Sequence, residues 1–313
     1  MSERKTIAVI GATGAQGGGL VRAILSDDDG FAARAVTRNP DSEKGRALAD
    51  SGAEVVRADL DDVDSLLAAF DGCHGAYCVT NFWEHFSPEK ELAQAGNLAA
   101  ATAGAGVRHV VWSTLEDTRR FVSLDDDRLP TLQDRYKVPH FDAKGEADGF
   151  FDPGRTTRLM ASYYWDNLIY FGQEPQRDES GRLVFSLPMG DAPLAGIAAE
   201  DIGKCAHGIF QAGVDMLGEV VGIAGEHLTG AEMAAALSEA LGEEVVYQAV
   251  PFDVYRSLGF PGAEDLGNMF QFYHDFGEAV LGARDVETSR RLNPELLDFE
   301  AWLRKYGDRI PRH

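Results

Sequence analysis

Residues 7–17 read IAVIGATGAQG, an apolar run that ends in three glycines with the spacing GxxGxxG. The run predicts a buried strand, and residues 18–26 predict a helix directly after it. In such a unit the first glycine permits a tight turn, the second lets the backbone approach a pyrophosphate, and the third allows close helix–strand packing. Free amides at the helix N-terminus attract the anion. The predicted dinucleotide cradle consists of Gly11, Thr13, Gly14, Ala15, Gln16 and Gly17.

Short β-branched runs alternate with helical patterns through the first 160 residues. The predicted strands are 6–10, 33–37, 54–57, 76–79, 108–113 and 157–160, and the predicted helices are 18–26, 42–51, 63–70, 88–104 and 141–150. Nearly continuous apolar strands, joined by crossovers long enough for a helix, are typical of a parallel sheet covered on both faces. The predicted fold class is therefore α/β, a Rossmann-type doubly wound parallel sheet. The alternative for the glycine stretch is a turn that binds no ligand.

A second region begins near residue 161, where the spacing becomes irregular and rich in Gly and Pro. It contains predicted strands at 182–187 and 219–223 and helices at 200–211 and 233–241, the last after a Thr229–Glu232 capping box. We therefore expect a Rossmann domain of residues 1–160, completed by parts of 196–225. Residues 161–313 form the second, smaller α/β domain.

The composition limits the possible partners and compartment. Among 313 residues, 51 acidic side chains against 29 basic ones give a net charge of −22. Such a field repels nucleic-acid phosphates and anionic membrane surfaces, and no apolar run is long enough for a membrane span. Three cysteines without metal-ligand spacing, Cys73, Cys78 and Cys205, indicate a reducing interior. We expect a cytoplasmic protein that binds no nucleic acid directly, no membrane and no metal.

The acidic residues cluster, as in Asp27–Asp29 and Asp125–Asp127. Two interpretations stay open. Either the carboxylates hold water and cations in a high-salt cytoplasm, or they form an ordinary acidic surface. The first interpretation predicts that salt stabilises the fold, because the carboxylates repel one another at low ionic strength.

The residue after the second strand indicates which nicotinamide cofactor is bound. A site selective for NAD places an acidic side chain there, which holds the ribose 2′-hydroxyl. This sequence reads VTRNP at 36–40, with Arg38 at that place. A guanidinium is always charged and binds phosphate through two donors. Arg38 is therefore predicted to select NADP(H), the alternative being a solvated loop arginine.

Further cofactor contacts are predicted at the carboxyl ends of other strands, because loops there line the cleft of this fold. Asp59, two residues after the third strand, is placed to meet the adenine. Thr80, Asn81 and Phe82 follow the fourth strand. They are candidates for the ribose and the nicotinamide, or plain loop residues.

The candidate catalytic residues depart from the pattern of short-chain dehydrogenases. Those enzymes use Tyr-x-x-x-Lys, in which the lysine lowers the tyrosine pKa so that the phenol passes a proton while hydride moves. The corresponding stretch reads HFDAK at 140–144, so His140 replaces the tyrosine and Lys144 is placed to reach the nicotinamide ribose. With Ser113 at the end of the fifth strand, they form a degenerate triad. Imidazole titrates near neutrality and can serve as the acid.

Several aromatic residues have two interpretations. Tyr163 and Tyr164 offer a replacement phenol, although packing in the core or cleft is favoured. The stretch FPGAEDLGNMFQFY at 260–273 is either a lid on the Rossmann domain or the lining of a substrate or partner pocket. The residues that would line such a pocket are Phe270, Phe272 and Tyr273.

Six segments carry a resemblance that covers nearly the whole chain. They are GATGAQG at 11–17, VTRNP at 36–40, VTNFWE at 79–84, HFDAKGE at 140–146, LPMGD at 187–191 and LGFPGAEDLGNMFQFY at 258–273. With them the chain resembles the NmrA-like branch of the atypical short-chain dehydrogenases, and within it the HSCARG type of NADP(H) sensor.

The resemblance implies NADP(H) in a cleft between a Rossmann domain and a small α/β domain, with little or no dehydrogenase activity. It also implies an asparagine, here Asn167, near that cleft. Members of the family act as redox sensors that report the NADPH/NADP⁺ balance through conformation, oligomeric state or affinity for a regulatory protein. Monomer and homodimer both stay open.

The expected function is thus that of an NADP(H)-binding redox sensor or regulatory protein with a degenerate dehydrogenase site. One alternative is an NADPH-dependent reductase of quinones, enones or other carbonyls, which needs a proton donor. Another is an interaction module that has lost the cofactor, against which the intact Gly14, Gly17 and Arg38 speak.

Overall fold

A computed structural model describes residues 4–27 and 30–312 of the chain, so Asp28 and Asp29 of the predicted acidic cluster lie outside the described residues. In chain order the strands β1 to β13 are Lys5–Val9, Phe31–Thr37, Glu54–Arg57, Gly75–Cys78, His109–Thr114, Thr156–Met160, Tyr163–Tyr164, Gln176–Arg177, Leu183–Leu187, Leu194–Ile197, Val220–Gly222, Glu226–Leu228 and Val245–Ala249. The helices α1 to α13 are Ala15–Ser26, Glu43–Asp50, Val63–Phe70, Pro88–Gly104, Pro139–Ala147, Asn167–Tyr170, Ala199–Ala212, Gly230–Leu241, Phe252–Arg256, Ala263–Asp275, Gly277–Gly282, Val286–Leu292 and Phe299–Tyr306.

Seven of these strands form one parallel sheet in the order β11-β6-β5-β4-β1-β2-β3. Strands β4 and β5 are buried along their whole length, as expected for strands covered on both faces. The chain order reverses between β1 and β4, and open α/β sheets bind ligands beyond the carboxyl ends of the strands at such a point. The predicted doubly wound α/β fold is confirmed.

Local signals place most element boundaries. Helix α3 covers the predicted residues, and α4 does so behind Ser87, whose side chain accepts from the Lys90 amide. The predicted capping box precedes α8. Helix α1 begins at Ala15, three residues before its predicted start, because the glycine-rich first turn is stabilised by tertiary packing rather than by propensity. Helix α5 ends at Ala147, before its predicted end, and a 3₁₀ turn follows.

Two elements from the region after residue 161 return to the large sheet. Strand β11 pairs with β6, and α7 packs on α1. The helix contact depends on glycine, since a Cβ on Gly203 would lie 2.1 Å from the backbone nitrogen of Leu20. A Cβ on Gly19 would lie 2.5 Å from the Glu200 carbonyl oxygen. The two backbones therefore approach more closely than any side chain permits. The domain boundary at residue 160 stays a prediction.

The remaining strands form two three-stranded sheets, ordered β12-β10-β7 and β13-β9-β8. A further hydrophobic core includes Trp165 and Trp302 of the later region and also Phe141 of α5. Phe270 and Phe272 have no exposed surface and belong to this core. The three cysteines are buried free thiols. None of the described helices combines the length and apolar character that a bilayer span requires.

Candidate active site

The glycine loop after β1 forms an open cradle. Gly11 has a φ of +66°, a conformation that favours glycine, and its carbonyl accepts the Gly14 amide at 2.8 Å. No side chain caps the N-terminus of α1, and its first turn holds no acidic residue. A Cβ on Gly17 would lie 2.5 Å from the Gly11 oxygen, so glycine is required there. An exposed loop with uncapped helix amides fits a pyrophosphate. Ala15 is exposed and Thr13 half-buried in the same loop.

Gln16 joins this cradle to two other parts of the site. Its Oε1 accepts from Ser113 Oγ at 2.9 Å and from the Tyr77 hydroxyl, and its Nε2 donates to the Tyr164 hydroxyl. Ser113 thus hydrogen-bonds with Gln16, not with His140. Burial raises the pKa of Tyr164 to about 12, so its hydroxyl is protonated at neutral pH.

Arg38 lies exposed after β2, on the carboxyl edge of the sheet. Its Nη2 is 3.0 Å from Glu84 Oε1, and Asn81 Nδ2 donates to the same oxygen at 3.3 Å. Because β1 lies between β2 and β4, this contact spans the strand that carries the glycine loop. Arg38 and Asn81, both predicted site residues, therefore meet through Glu84, the last residue of the VTNFWE segment.

Asp59 lies exposed after β3, the outermost strand of the sheet. Its Oδ1 accepts the Asp61 amide at 3.0 Å, and its own amide donates to Ser65 Oγ at 3.0 Å. These bonds hold the loop and leave the second carboxylate oxygen for solvent or a ligand. Asp59 shares the carboxyl edge with Arg38 but is not hydrogen-bonded to it.

Lys144 is held internally. Its Nζ donates to Thr80 Oγ1 at 2.7 Å and to the Thr80 carbonyl at 3.3 Å, and it lies 2.9 Å from Glu91 Oε1. The ammonium also sits 5.0 Å from the centre of the Trp112 ring, a cation–π contact. An ammonium has three donors, and these three acceptors engage all of them. The structure thus brings together the predicted Lys144 and Thr80 around a third residue, Glu91.

Glu91 has no exposed surface, and sequence reasoning missed it. Burial alone would raise the pKa of this carboxyl, but the Lys144 charge, the nearby His85 ring and the hydrogen bond from Thr80 outweigh burial and lower it to about 2. Thr80 Oγ1 donates to Oε1 at 2.5 Å, and His85 Nε2 lies 3.5 Å from Oε2. The helical spacing could have identified it, because residues 91, 95 and 98 share the buried face of α4. That spacing places a carboxylate among apolar residues.

His140 is paired with Asp265, a residue 125 positions away that no local pattern marks. The His140 Nδ1 lies 2.5 Å from Asp265 Oδ1, and its backbone amide donates to Oδ2 at 3.1 Å. Both side chains are about 7% exposed. The ring centre of Trp83 is 4.7 Å from that of His140, and that of Phe82 is 5.9 Å away. His140, Asp265 and the predicted Phe82 therefore form one cluster.

The two tyrosines and the aromatic segment occupy different places. Tyr163 is buried, packs against Phe270 and donates to Gln173 Oε1 at 2.5 Å. Tyr164 reaches the Gln16 amide, as described above. Asn167, at the start of α6, contacts the Tyr163 hydroxyl. The predicted Ser113–His140–Lys144 triad is not joined by hydrogen bonds, since each member has a different partner.

The described residues contain no group of three or more His, Cys, Asp or Glu arranged to hold a metal ion. The model of the NmrA-like family matches residues 3–303. This chain belongs to the NmrA-like family. A curated relative, the NmrA-like family domain-containing oxidoreductase FrzB of Cladobotryum sp, is 32% identical over 295 residues, covering 87% of this chain and 84% of that protein.

Solved structures show the same fold. NmrA, a negative transcriptional regulator solved in complex with NADP, superposes with a TM-score of 0.75 at 23% identity, over 97% of this chain and 95% of that one. The Citrobacter sp. triphenylmethane reductase complexed with NADP(H) gives a TM-score of 0.71 at 19% identity, over 96% and 99%. The fold is thus shared by a regulator and by a reductase.

Proposed function

We propose that this chain binds NADP(H) at the carboxyl edge of the large sheet. The glycine cradle would hold the pyrophosphate, Arg38 the 2′-phosphate and Asp59 the adenine end. The exposed guanidinium beside the cradle supports NADP(H) over NAD(H). NmrA has been solved with NADP and also with NAD, and triphenylmethane reductase with NADP(H), so these neighbours support a nicotinamide cofactor in general. When bound, the cofactor supplies hydride-transfer chemistry at its nicotinamide ring.

The proposed role is redox-responsive regulation rather than catalysis by a Tyr-x-x-x-Lys dehydrogenase mechanism. One observation carries this proposal: the ammonium of Lys144 is fully engaged by Thr80 and Glu91, and the usual phenol four residues before it is absent. Without a phenol beside it, this lysine cannot activate a proton donor in the usual way. Its internal contacts instead stabilise the wall of the cleft.

In this proposal, Gln16 couples cofactor binding to a change in conformation. It belongs to the proposed cradle, yet its amide also holds Tyr164 of the small β7 strand. A cofactor that binds differently in its oxidised and reduced forms would favour different arrangements of this contact. A ligand shifts a conformational equilibrium only through such differential affinity. A regulatory protein partner that reads the change is part of the proposal.

The second candidate is an NADPH-dependent reductase of quinones, enones or other carbonyls. The His140–Asp265 pair favours it, because a carboxylate on one ring nitrogen orients the imidazole, as in catalytic acid–base pairs. The imidazolium would then donate a proton to the reduced substrate. The relative FrzB is named as an oxidoreductase.

The experiment measures NADPH binding by fluorescence and NADPH consumption by absorbance over a panel of quinones, enones, aldehydes and imines. Wild type is compared with His140→Ala and with His274→Ala. The control is matched because His274 also contacts a neighbouring aspartate, Asp275, at 2.9 Å but lies exposed. We expect tight binding without turnover in all three proteins. Turnover lost only in His140→Ala would establish the reductase and overturn the sensor proposal.

A further inference from the structure

A second cavity lies at the opposite, amino edge of the large sheet. Its volume is about 600 Å³. The neighbouring strands β5, β4, β1 and β2 begin there. Lys5, Phe31 and His109 are the first residues of β1, β2 and β5, and His74 and Arg108 directly precede β4 and β5. Parallel strands place all their amino ends on one side, so this cavity is separated from the proposed cofactor site by the length of the sheet.

The rim is basic although the molecule is strongly acidic. Lys5, His74 and Arg108 line the cavity, and β4 lies between β1 and β5, so His74 sits between the two cations. Neither cation forms an ion pair or side-chain hydrogen bond within residues 4–27 and 30–312, whereas most other cations of the chain do. Burial, Lys5 and Arg108, in that order, lower the pKa of His74. The positive charges of Lys5 and Arg108 thus both act on the His74 ring.

The inner wall is aromatic and apolar. Phe31, His109 and Phe210 are each at least nine-tenths buried, and the rings of His109 and Phe210 meet edge to face at 5.1 Å. Val214 and Leu217 complete the wall, and Val214 is 78% exposed. No acidic side chain of the described residues lines the cavity. Asp27 is not part of the lining, but it accepts a hydrogen bond from the lining residue Gln211 at 3.1 Å.

His109 does not use its Nε2 for a ligand. Thr157 donates its one hydroxyl proton to the Met216 carbonyl at 2.6 Å, so it accepts from His109 Nε2 at 2.9 Å. Burial also lowers the pKa of His109 to about 4. The ring is therefore neutral at pH 7 and serves as an apolar wall, while the charge of the cavity comes from Lys5 and Arg108.

We propose that this cavity binds a small organic carboxylate that carries an aromatic ring. The carboxylate lies between Lys5 and Arg108, and the ring packs on Phe31 and Phe210. The molecule as a whole is acidic, so a rim of two cations without ion pairs over an aromatic wall is a favourable place for a carboxylate. This site is independent of the cofactor proposal, because it lies at the other edge of the sheet.

Calorimetry at constant salt with benzoate as the probe tests the proposal, with acetate and benzyl alcohol as partial probes that lack the ring or the charge. We expect benzoate to bind several-fold more tightly than either. Arg108→Gln and Lys5→Gln should each weaken benzoate by about threefold or more, as expected for loss of one exposed charge contact. The matched control is Arg46→Gln, since Arg46 is an exposed arginine on α2.

A second measurement separates this site from the cofactor cleft. In wild type, benzoate should raise the pKa of His74 measured by NMR, because a bound anion offsets the repulsion from Lys5 and Arg108. NADPH affinity should stay unchanged in Arg108→Gln. The proposal is overturned if benzoate is displaced by NADPH, if it binds no better than acetate, or if both substitutions leave its affinity unchanged.

Discussion

Arg38 shows at the scale of one residue how a contact in the free protein affects a ligand. Its guanidinium is 64% exposed and paired with Glu84. Exposed ion pairs contribute little to stability, so this one costs the fold almost nothing if it is broken. A 2′-phosphate would compete with Glu84 for the same donors. In the proposed complex Glu84 would therefore act against NADP binding, although its contact holds Arg38 in place.

The first prediction concerns this competition. Arg38→Ala should weaken NADPH by about thirtyfold or more and leave NADH nearly unchanged, because only the former carries the 2′-phosphate. Glu84→Gln should tighten NADPH by about threefold, since it removes a competing charge. Fluorescence titration with both cofactors checks this. Equal losses for NADPH and NADH in Arg38→Ala would contradict the assignment.

The second prediction concerns Glu91, whose pKa falls from 4.5 to about 2 in the folded protein. A carboxyl with a depressed folded pKa stabilises the fold above its unfolded pKa, and this stabilisation is lost as pH falls from about 4.5 to 2. The shift corresponds to on the order of 3 kcal/mol. Glu91→Gln should therefore lower the free energy of unfolding at pH 7 by about 3 kcal/mol, because it also leaves Lys144 buried without its partner.

The measurement is urea unfolding of wild type and Glu91→Gln at constant salt from pH 7 to pH 2.5. The difference in stability between them should shrink as the solution becomes more acidic. The exposed Glu43 gives the control Glu43→Gln, which should track wild type throughout. A difference that stays constant with pH would show that Glu91 is not ionised in the folded protein.

At the scale of elements, the α1–α7 contact joins the first quarter of the chain to a helix that begins at Ala199. The glycines of the two helices lie directly against the facing backbone. Helix interiors ordinarily disfavour glycine, because it loses more conformational freedom on folding than alanine does. These glycines are present because the packing excludes a Cβ, and the contact positions the glycine cradle at the start of α1.

The third prediction compares two helical glycines. Gly203→Ala should lower the free energy of unfolding by about 2 kcal/mol or more, because the new Cβ meets the Leu20 backbone nitrogen. Gly96→Ala in α4 should raise it by about 0.5–1 kcal/mol, because the new Cβ would come no closer than 4.0 Å to Phe150. Urea unfolding of both variants checks the sign. A stabilised Gly203→Ala would contradict the close approach.

At the scale of the whole molecule, the net charge and the fold have different physical effects. The net charge of −22 has no part in the sheet order or the cores, but it sets how the surface responds to ions. This net charge already includes the cations of surface pairs such as Arg128–Asp126 and Arg304–Glu300, so 22 more carboxylates than cations remain. The remaining carboxylates repel one another unless salt screens them.

The fourth prediction is that the thermal unfolding midpoint rises from low to multimolar KCl. The Debye length falls to about 3 Å at 1 M salt, so screening of the carboxylates is nearly complete there. A continued rise above 1 M would support carboxylates that bind hydrated cations. A midpoint that does not rise at all would leave an ordinary acidic surface. Calorimetric scans at fixed pH make the measurement.

Much of the fold was predictable from sequence, because its signals are local. Apolar runs, the glycine spacing, the Ser87 cap and the Thr229–Glu232 box each lie within a few residues, and each predicted an element that the structure confirms. The roles proposed for Arg38, Lys144 and His140 also come from sequence, by their places after strands and on one helix face. Those roles stay predictions.

The parallel sheet, the glycine loop and the places of the candidate side chains along the chain follow from local sequence patterns. Their partners follow from packing: Asp265 for His140, Glu91 for Lys144, Gln16 for Ser113 and Glu84 for Arg38. These pairs are 46 to 125 residues apart. A local pattern predicts the helix, strand or turn of its own segment. A contact between two distant side chains depends on how whole elements pack, and a short stretch of sequence holds no information about that packing.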